Sequence, residues 1–182
     1  MDRTTPIIIE PARPEDAKQI MIIKRDAQLG AYSNAEHGIT TEDIRNRWSD
    51  EELNTAIANW RNGIIGETEH SDKRTFVAKV DGKVVGFTSP GLKDGKLMLG
   101  AMYVEPNAQG QGAGTALIKK ALEWLGSDRD VFVNVVAHNQ KAIKFYEHFG
   151  FKPTGIELPE EIDKDGLKYL QEIEMVLKKR SK

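Results

Sequence analysis

A chain of 182 residues is long enough to bury one sizeable core and too short to expect two, so positions 1–182 read as a single domain. With 39% hydrophobic and 30% charged residues it fits a soluble globular protein, and a formal net charge of −2 provides no global field to recruit nucleic acid. The absence of cysteine excludes a disulfide framework, a thiol nucleophile and a cysteine-ligated metal.

The first six residues lack the apolar core of a signal peptide, and no apolar run reaches membrane-spanning length. The expectation is a cytoplasmic protein without a membrane partner. Lys178-Lys179-Arg180 reads as a solvated terminus rather than a nucleic-acid arm. Ile7 to Glu10 is a short β-branched run predicted as the first strand. Pro14 stands where a helix begins, with Glu15 and Asp16 in its first turn. Ala17, Ile20, Met21 and Lys24 mark one face of this helix, which is predicted to reach about Leu29 and stop at Gly30. Residues 31–39, with Tyr32 and His37, read as a loop.

Two short helices are predicted over residues 40–65. The second has Ser49 as N-cap and Glu52 completing a capping box, followed by Leu53, Ala56, Ile57, Trp60 and Ile64 at helical spacing. The polar run 66–74 reads as an exposed loop, its Glu67, Glu69 and His70 simply solvated. A meander follows, with a strand over 75–80, a hairpin turn at Asp81-Gly82 and a strand over 83–89. Pro90-Gly91 and Asp94-Gly95 punctuate the way to a mostly apolar strand over 96–104.

A helix starting at Ala113 carries Leu117, Ala121, Trp124 and Leu125 on one face. The nearly continuous apolar run 131–137 predicts a strand covered on both faces. Asn139 is an N-cap candidate for a helix over 140–149 whose stripe is Ala142, Phe145, Tyr146 and Phe149, and Gly150 is the expected glycine past its end. The tail reads as a strand over 151–156, an acidic loop over 157–166 and a last strand over 167–177. This order predicts an α+β, mixed α/β layer arrangement on one sheet.

Between the strand ending at Val104 and the helix starting at Ala113 lies a glycine-rich turn with Gly110, Gly112 and Gly114. Glycine permits positive φ and close backbone approach, and the helix start offers unpaired N–H groups backed by the helix dipole. Such a turn suits an anion, most often a phosphate. A Walker loop is excluded because no lysine stands in the turn, and the dinucleotide fingerprint fails where it would need glycine at Thr115.

The turn instead matches Gln-x-x-Gly-x-Gly at Gln109, Gly112 and Gly114, behind a strand ending Tyr103-Val104-Glu105-Pro106. It resembles the acetyl-coenzyme A pyrophosphate loop of the GNAT superfamily of N-acetyltransferases. A second segment is similar to the family's Asn-x-x-Ala-x-x-Phe-Tyr-x-x-x-Gly-Phe pattern, matched at Asn139, Ala142, Phe145, Tyr146, Gly150 and Phe151. The resemblance covers about residues 6 to 178. It implies a GNAT-like fold with one central, mostly antiparallel twisted sheet of six to seven strands, flanked by helices on both faces. It also implies direct transfer of an acetyl group from acetyl-coenzyme A to a primary amine, such as a polyamine or a peptide or protein amino group, without a metal.

By the same resemblance, the amides of Gln109, Gly110, Gln111, Gly112, Ala113, Gly114 and Thr115 cradle the pyrophosphate. The pantetheine arm pairs like a strand with Met102, Tyr103 and Val104, beside a bulge with which Gly100 and Ala101 are compatible. Asn139, Ala142 and Tyr146 complete the cofactor contacts. Asn139 keeps two readings, N-cap and cofactor contact. Tyr146 reads either as a core phenol or as the acid that protonates the coenzyme A thiolate, and the family match favours the acid.

No general base is identified. Many relatives carry a carboxylate on the strand before the loop, whereas the corresponding places here are Met98, Gly100 and Ala101. Asn134 and His138 alternate onto one strand face and could order a water. The acceptor site is expected from residues 32–65 and 157–166. There Glu157, Glu160, Glu161, Asp163 and Asp165 either attract a cationic amine or are merely solvated. Two alternatives stay open: a non-catalytic acyl-coenzyme A-binding sensor or assembly module on the same fold, and a homodimer built on C-terminal edge strands.

Overall fold

The computed structural model describes residues 6–31, 40–67, 71–158 and 171–179. Strand β1 (Ile8–Pro11) leads through a 3-10 turn (Pro14–Asp16) into α1 (Ala17–Ala31), followed by α2 (Thr41–Arg47) and α3 (Asp50–Gly66). Then come β2 (Phe76–Val80), β3 (Lys83–Thr88), β4 (Gly91–Lys93), β5 (Lys96–Met98) and β6 (Met102–Val104). Helix α4 (Ala113–Leu125), β7 (Val131–Val136), α5 (Gln140–His148), β8 (Lys152–Leu158) and β9 (Glu172–Leu177) complete the described elements.

The mixed α/β class holds, but the expected single sheet of six to seven strands is laid out as two sheets. One is a four-stranded sheet in the order β1-β2-β3-β6, and the other a five-stranded sheet in the order β4-β5-β7-β9-β8. The strand expected over 96–104 is cut in two at Gly100. Leu99 N donates to Phe132 O at 2.8 Å in the second sheet, while Ser89 N donates to Ala101 O at 2.9 Å in the first. Gly100 makes the crossing with φ +70°, and a Cβ there would lie 2.0 Å from the Ser89 carbonyl oxygen. Only glycine fits that passage.

Local chemistry explains most element ends. Asp81-Gly82 and Asp94-Gly95 share φ values of 50° and 76°, the left-handed pair of a type I′ turn. The second pair therefore closes a β4–β5 hairpin, where sequence reading saw only punctuation. Thr40 and Asp43 form a reciprocal capping box on α2, and Ser49 Oγ accepts from Glu52 N at 3.2 Å on α3. Helix α1 runs through Gly30 instead of stopping there, because nothing at that position calls for a positive φ. Glu67 is not merely solvated: its carboxylate accepts from Thr75 N at 2.6 Å and Thr75 Oγ1 at 2.7 Å. Glu69, His70 and residues 32–39 lie outside the described residues.

Helix α4 serves both sheets. Its Leu117 packs with Ala78 against the first, while Ile118, Ala121 and Leu125 join Val131, Val133 and Met175 of the second. Helix α1 covers the opposite face of the first sheet through Ile20, Met21 and Ile23, gathered with Val77 and Phe87. Each such fully buried side chain contributes on the order of 1.5–3 kcal/mol. An ion-pair network ties β1, β2 and the start of α1, with Lys79 Nζ 2.9 Å from Glu10 and 3.0 Å from Asp16. Strand β7 departs from its expected two-sided burial: Val131, Val133 and Val135 are buried, but Asn134 is exposed.

Two glycine substitutions test this account by chemical unfolding. Gly100→Ala should lose more than about 3 kcal/mol through backbone clash and a forced positive φ. Gly63→Ala, in α3 with nothing within 4 Å of the added methyl group, should gain about 0.5–1 kcal/mol.

Candidate active site

The break at Gly100 opens a cleft. Strand β7 holds β5 only through Val131 and Phe132, because the chain then leaves for β3. The remaining half of β7 and the free edge of β6 therefore stand apart, and between them lies a cavity of about 960 Å³. Met102, Tyr103 and Val104 form one wall, and Asn134, Val135 and Val136 the other.

The glycine turn borders this cleft, as its composition suggests. Gly110 and Gly112 take φ values of +77° and +94°, which is why they are glycines. Gly114 is helical and serves packing instead, since a Cβ there would touch the Phe145 ring of α5 at 3.5 Å. Gly112 is the N-cap of α4 and brings no capping side chain. The first helical bond runs from Ala116 N to Gly112 O at 2.9 Å, which leaves the amides of Ala113, Gly114 and Thr115 outside the ladder. An uncapped helix start beside an open cleft favours a bound anion.

Side chains brace the turn. Gln109 Nε2 donates to Val104 O at 3.1 Å, Gln111 Nε2 donates to Asn107 O at 2.8 Å, and Lys141 Nζ of α5 donates to Gln109 Oε1. Asn139 caps α5, its Oδ1 accepting from Ala142 N at 3.1 Å, and it also lines the cleft. Both readings of Asn139 are thus geometrically compatible.

Tyr146 is 7% exposed and packs edge-on against Phe145 and Phe151, with ring centroids 5.4 and 5.8 Å away, while also lining the cleft. Burial, and then the neighbouring Tyr103 phenol, push its pKa well above the ordinary phenol value, so it keeps its proton. Tyr103 is itself positioned by a short relay: Trp48 Nε1 donates to Gln28 Oε1 at 3.0 Å, and Gln28 Nε2 donates to the Tyr103 hydroxyl at 3.4 Å.

The cleft brings together Met102, Tyr103, Val104, Gln109, Gly110, Gly112, Gly114, Thr115, Asn139, Ala142 and Tyr146. Of the other residues expected there, Gln111 is turned to Asn107, and Ala113 is buried under the turn at 1% exposure. His138 does not share a strand face with Asn134; it lies in the turn after β7, and only Asn134 lines the cleft. Sequence reasoning missed Asp26, Lys93, Lys141 and Glu172, which also line it. Lys141, two residues past the Asn139 cap, had a local signal, being in the first turn of a helix expected to face the ligand. The other three are brought in by distant elements. In the expected acidic loop, Glu157 belongs to β8 and accepts from Gln171 Nε2 at 2.8 Å. Glu160, Glu161, Asp163 and Asp165 lie outside the described residues. Among the described residues no cluster of three or more His, Asp or Glu could hold a metal ion, and no helix is long and apolar enough to cross a membrane.

A splayed mixed sheet with a phosphate-suited turn at the mouth of the split is the architecture of an acyl-coenzyme A-using acetyltransferase. The chain belongs to the acetyltransferase (GNAT) family, whose family model matches residues 35–151. It is 36% identical over 86 residues to an uncharacterized N-acetyltransferase of Methanocaldococcus jannaschii, covering 42% of this chain and 38% of that protein. Identity to the spermine/spermidine N(1)-acetyltransferase of Bacillus subtilis is 27% over 101 residues, covering 50% of this chain and 63% of that one. The chain thus spans less than two thirds of these curated relatives. In fold it is similar to the PaiA N-acetyltransferase of Thermoplasma acidophilum, solved in complex with coenzyme A. The TM-score is 0.64 at 20% identity, over 95% of this chain and 99% of that one.

Asn139→Ala should cost about 1 kcal/mol in chemical unfolding by removing the α5 cap. Asn139→Asp should restore that stability, because a carboxylate caps equally well. A loss in both variants would contradict the capping role.

Proposed function

We propose that this chain is one catalytic domain that moves an acetyl group from acetyl-coenzyme A to a primary amine by direct attack within a ternary complex. The observation that carries this reading is a buried, protonated Tyr146 lining the same cleft as the uncapped start of α4. The turn 109–115 would hold the donor's pyrophosphate with backbone amides. The free edge of β6 at Met102–Val104 would take the pantetheine amides as an added strand. That pairing brings the thioester to the split between β6 and β7.

The amine nitrogen attacks the thioester carbon, the C–N bond forms and the C–S bond breaks. Tyr146 gives its phenolic proton to the departing sulfur, and the proton shed by nitrogen returns to the phenol through solvent in the open cleft. Desolvation raises the phenol's pKa, yet it also leaves a thiolate poorly solvated in the same cleft, so a donor beside the sulfur is favourable there. No cysteine or activated serine is required, because no acyl-enzyme forms.

On the acceptor side, Glu172 and Asp26, the latter paired with Arg25 Nε at 2.8 Å, are the carboxylates that line the cleft among the described residues. The likeness to a spermine/spermidine acetyltransferase supports a cationic acceptor such as a polyamine, with a peptide amino terminus of the same chemistry.

Thiol release from acetyl-coenzyme A, measured against polyamines, amino acids, aminoglycosides and short peptides, tests the reading. At least one amine should drive release. Coenzyme A binding with no release for any amine would instead favour a non-catalytic binding module.

Tyr146→Phe should lower kcat by about 100-fold while leaving coenzyme A binding largely intact, whereas a full-rate variant would remove the acid role. Because burial favours the neutral phenol, the proton is lost later as pH rises. The wild-type kcat should therefore show no alkaline fall from this group below the ordinary phenol value of 10.0. Neutralising both acids, as Asp26→Asn with Glu172→Gln, should raise KM for a cationic amine and leave kcat little changed. Unaltered kinetics would refute their role.

A further inference from the structure

A pyrophosphate brings formal negative charge, and the turn that would hold it brings no cation. Residues 106–115 contain neither lysine nor arginine, so the turn itself offers only the partial charges of its amides. The fold supplies the missing charge from another element. Lys141, in the first turn of α5, lines the cleft and donates from Nζ to Gln109 Oε1, across 32 positions of sequence. Gln109 is anchored in turn through Nε2 to the Val104 carbonyl, so a chain Lys141–Gln109–Val104 spans from α5 over the turn to the end of β6.

The chemistry of this contact is incomplete in a specific way. Among the described residues, the Lys141 ammonium has no carboxylate partner, only a neutral amide oxygen. An ammonium bond to a neutral acceptor is weaker than one to an anionic oxygen, where both partners carry charge. The other basic residue among the described cleft-lining side chains, Lys93, belongs to β4 of the second sheet. Among the described cleft-lining residues, Lys141 is the ammonium that meets the turn.

Resting on the donor reading above, we infer that Lys141 is a phosphate-recognition residue of the donor site, exchanging the Gln109 oxygen for a phosphate oxygen of coenzyme A.

Calorimetric titration of wild type, Lys141→Met and Lys141→Arg with coenzyme A, dephospho-coenzyme A and pantetheine tests this. Lys141→Met should weaken coenzyme A about tenfold and make its binding less salt-dependent, as expected for loss of one charge contact. Lys141→Arg should retain most of the affinity, and pantetheine, which carries no phosphate, should bind all three alike. A loss that persists with dephospho-coenzyme A places the contact at the pyrophosphate, and one confined to coenzyme A places it at the ribose 3′-phosphate. Both support the inference.

If Lys141→Met binds coenzyme A as tightly as wild type, the inference is overturned while the donor reading stands. If pantetheine weakens by the same factor, Lys141 is only a brace for the turn and the inference is again overturned. Failure of wild type to bind coenzyme A at all would remove the donor reading, and this inference with it.

Discussion

The passage of the backbone past Ser89 at Gly100 is the constraint on which the rest of the structure depends. A chain leaving β5 must abandon its hydrogen bonds to β7 and take up new ones to β3 within two residues. Only a left-handed residue without a side chain makes that step, because the Ser89 carbonyl oxygen fills the space a Cβ would take. One glycine thus converts a continuous sheet into two, and the gap it leaves is the cleft. The free strand edge would be a liability on an ordinary protein surface. Here it faces a cavity of ligand size.

Helix α4 makes the split stable and useful at once. Its neighbouring residues Leu117 and Ile118 sit in separate cores, so the helix holds the two sheets at the angle the glycine permits. Its N-terminus, left without a side-chain cap, opens at the mouth of the cleft. Gly86 contributes to the same placement, since a Cβ there would press on the Tyr103 carbonyl at 3.0 Å and on Leu117 at 3.1 Å. The close stacking of α4 under β3 and β6 therefore sets where the anion-binding amides lie relative to the strand edge. Buried Tyr146 and the positioned Tyr103 complete a site whose walls belong to packed secondary structure rather than to loops.

What could be read from the sequence was local. The glycine turn, the Asn139 and Ser49 caps, Gly150 past α5 and the Asp81-Gly82 hairpin each depend on residues within about one turn of chain, and each formed as expected. The split sheet was less legible, because Gly100 reveals its role only when β3 and β7 are both in place. By residue type Gly100-Ala101 suits a bulge; the structure makes it the crossing between sheets. The parallel β5–β7 pairing and the meeting of Lys141 with Gln109 depend on partners more than 30 positions apart. Asp26 and Glu172 stand on α1 and β9, and no spacing rule connects them to a glycine turn near the middle of the chain. Glu67 reads as solvated in the sequence for the same reason, since its partner Thr75 lies across a polar loop.

The central claim is that one ligand occupies the phosphate turn and the free edge of β6 together. Amide hydrogen exchange with and without coenzyme A reads this most directly. The account predicts that added coenzyme A slows exchange at residues 102–104 and at 109–115 in parallel, with the same concentration dependence, while β1, β8 and α3 are unaffected. Protection of the turn alone, or protection confined to segments outside the cleft, would contradict it.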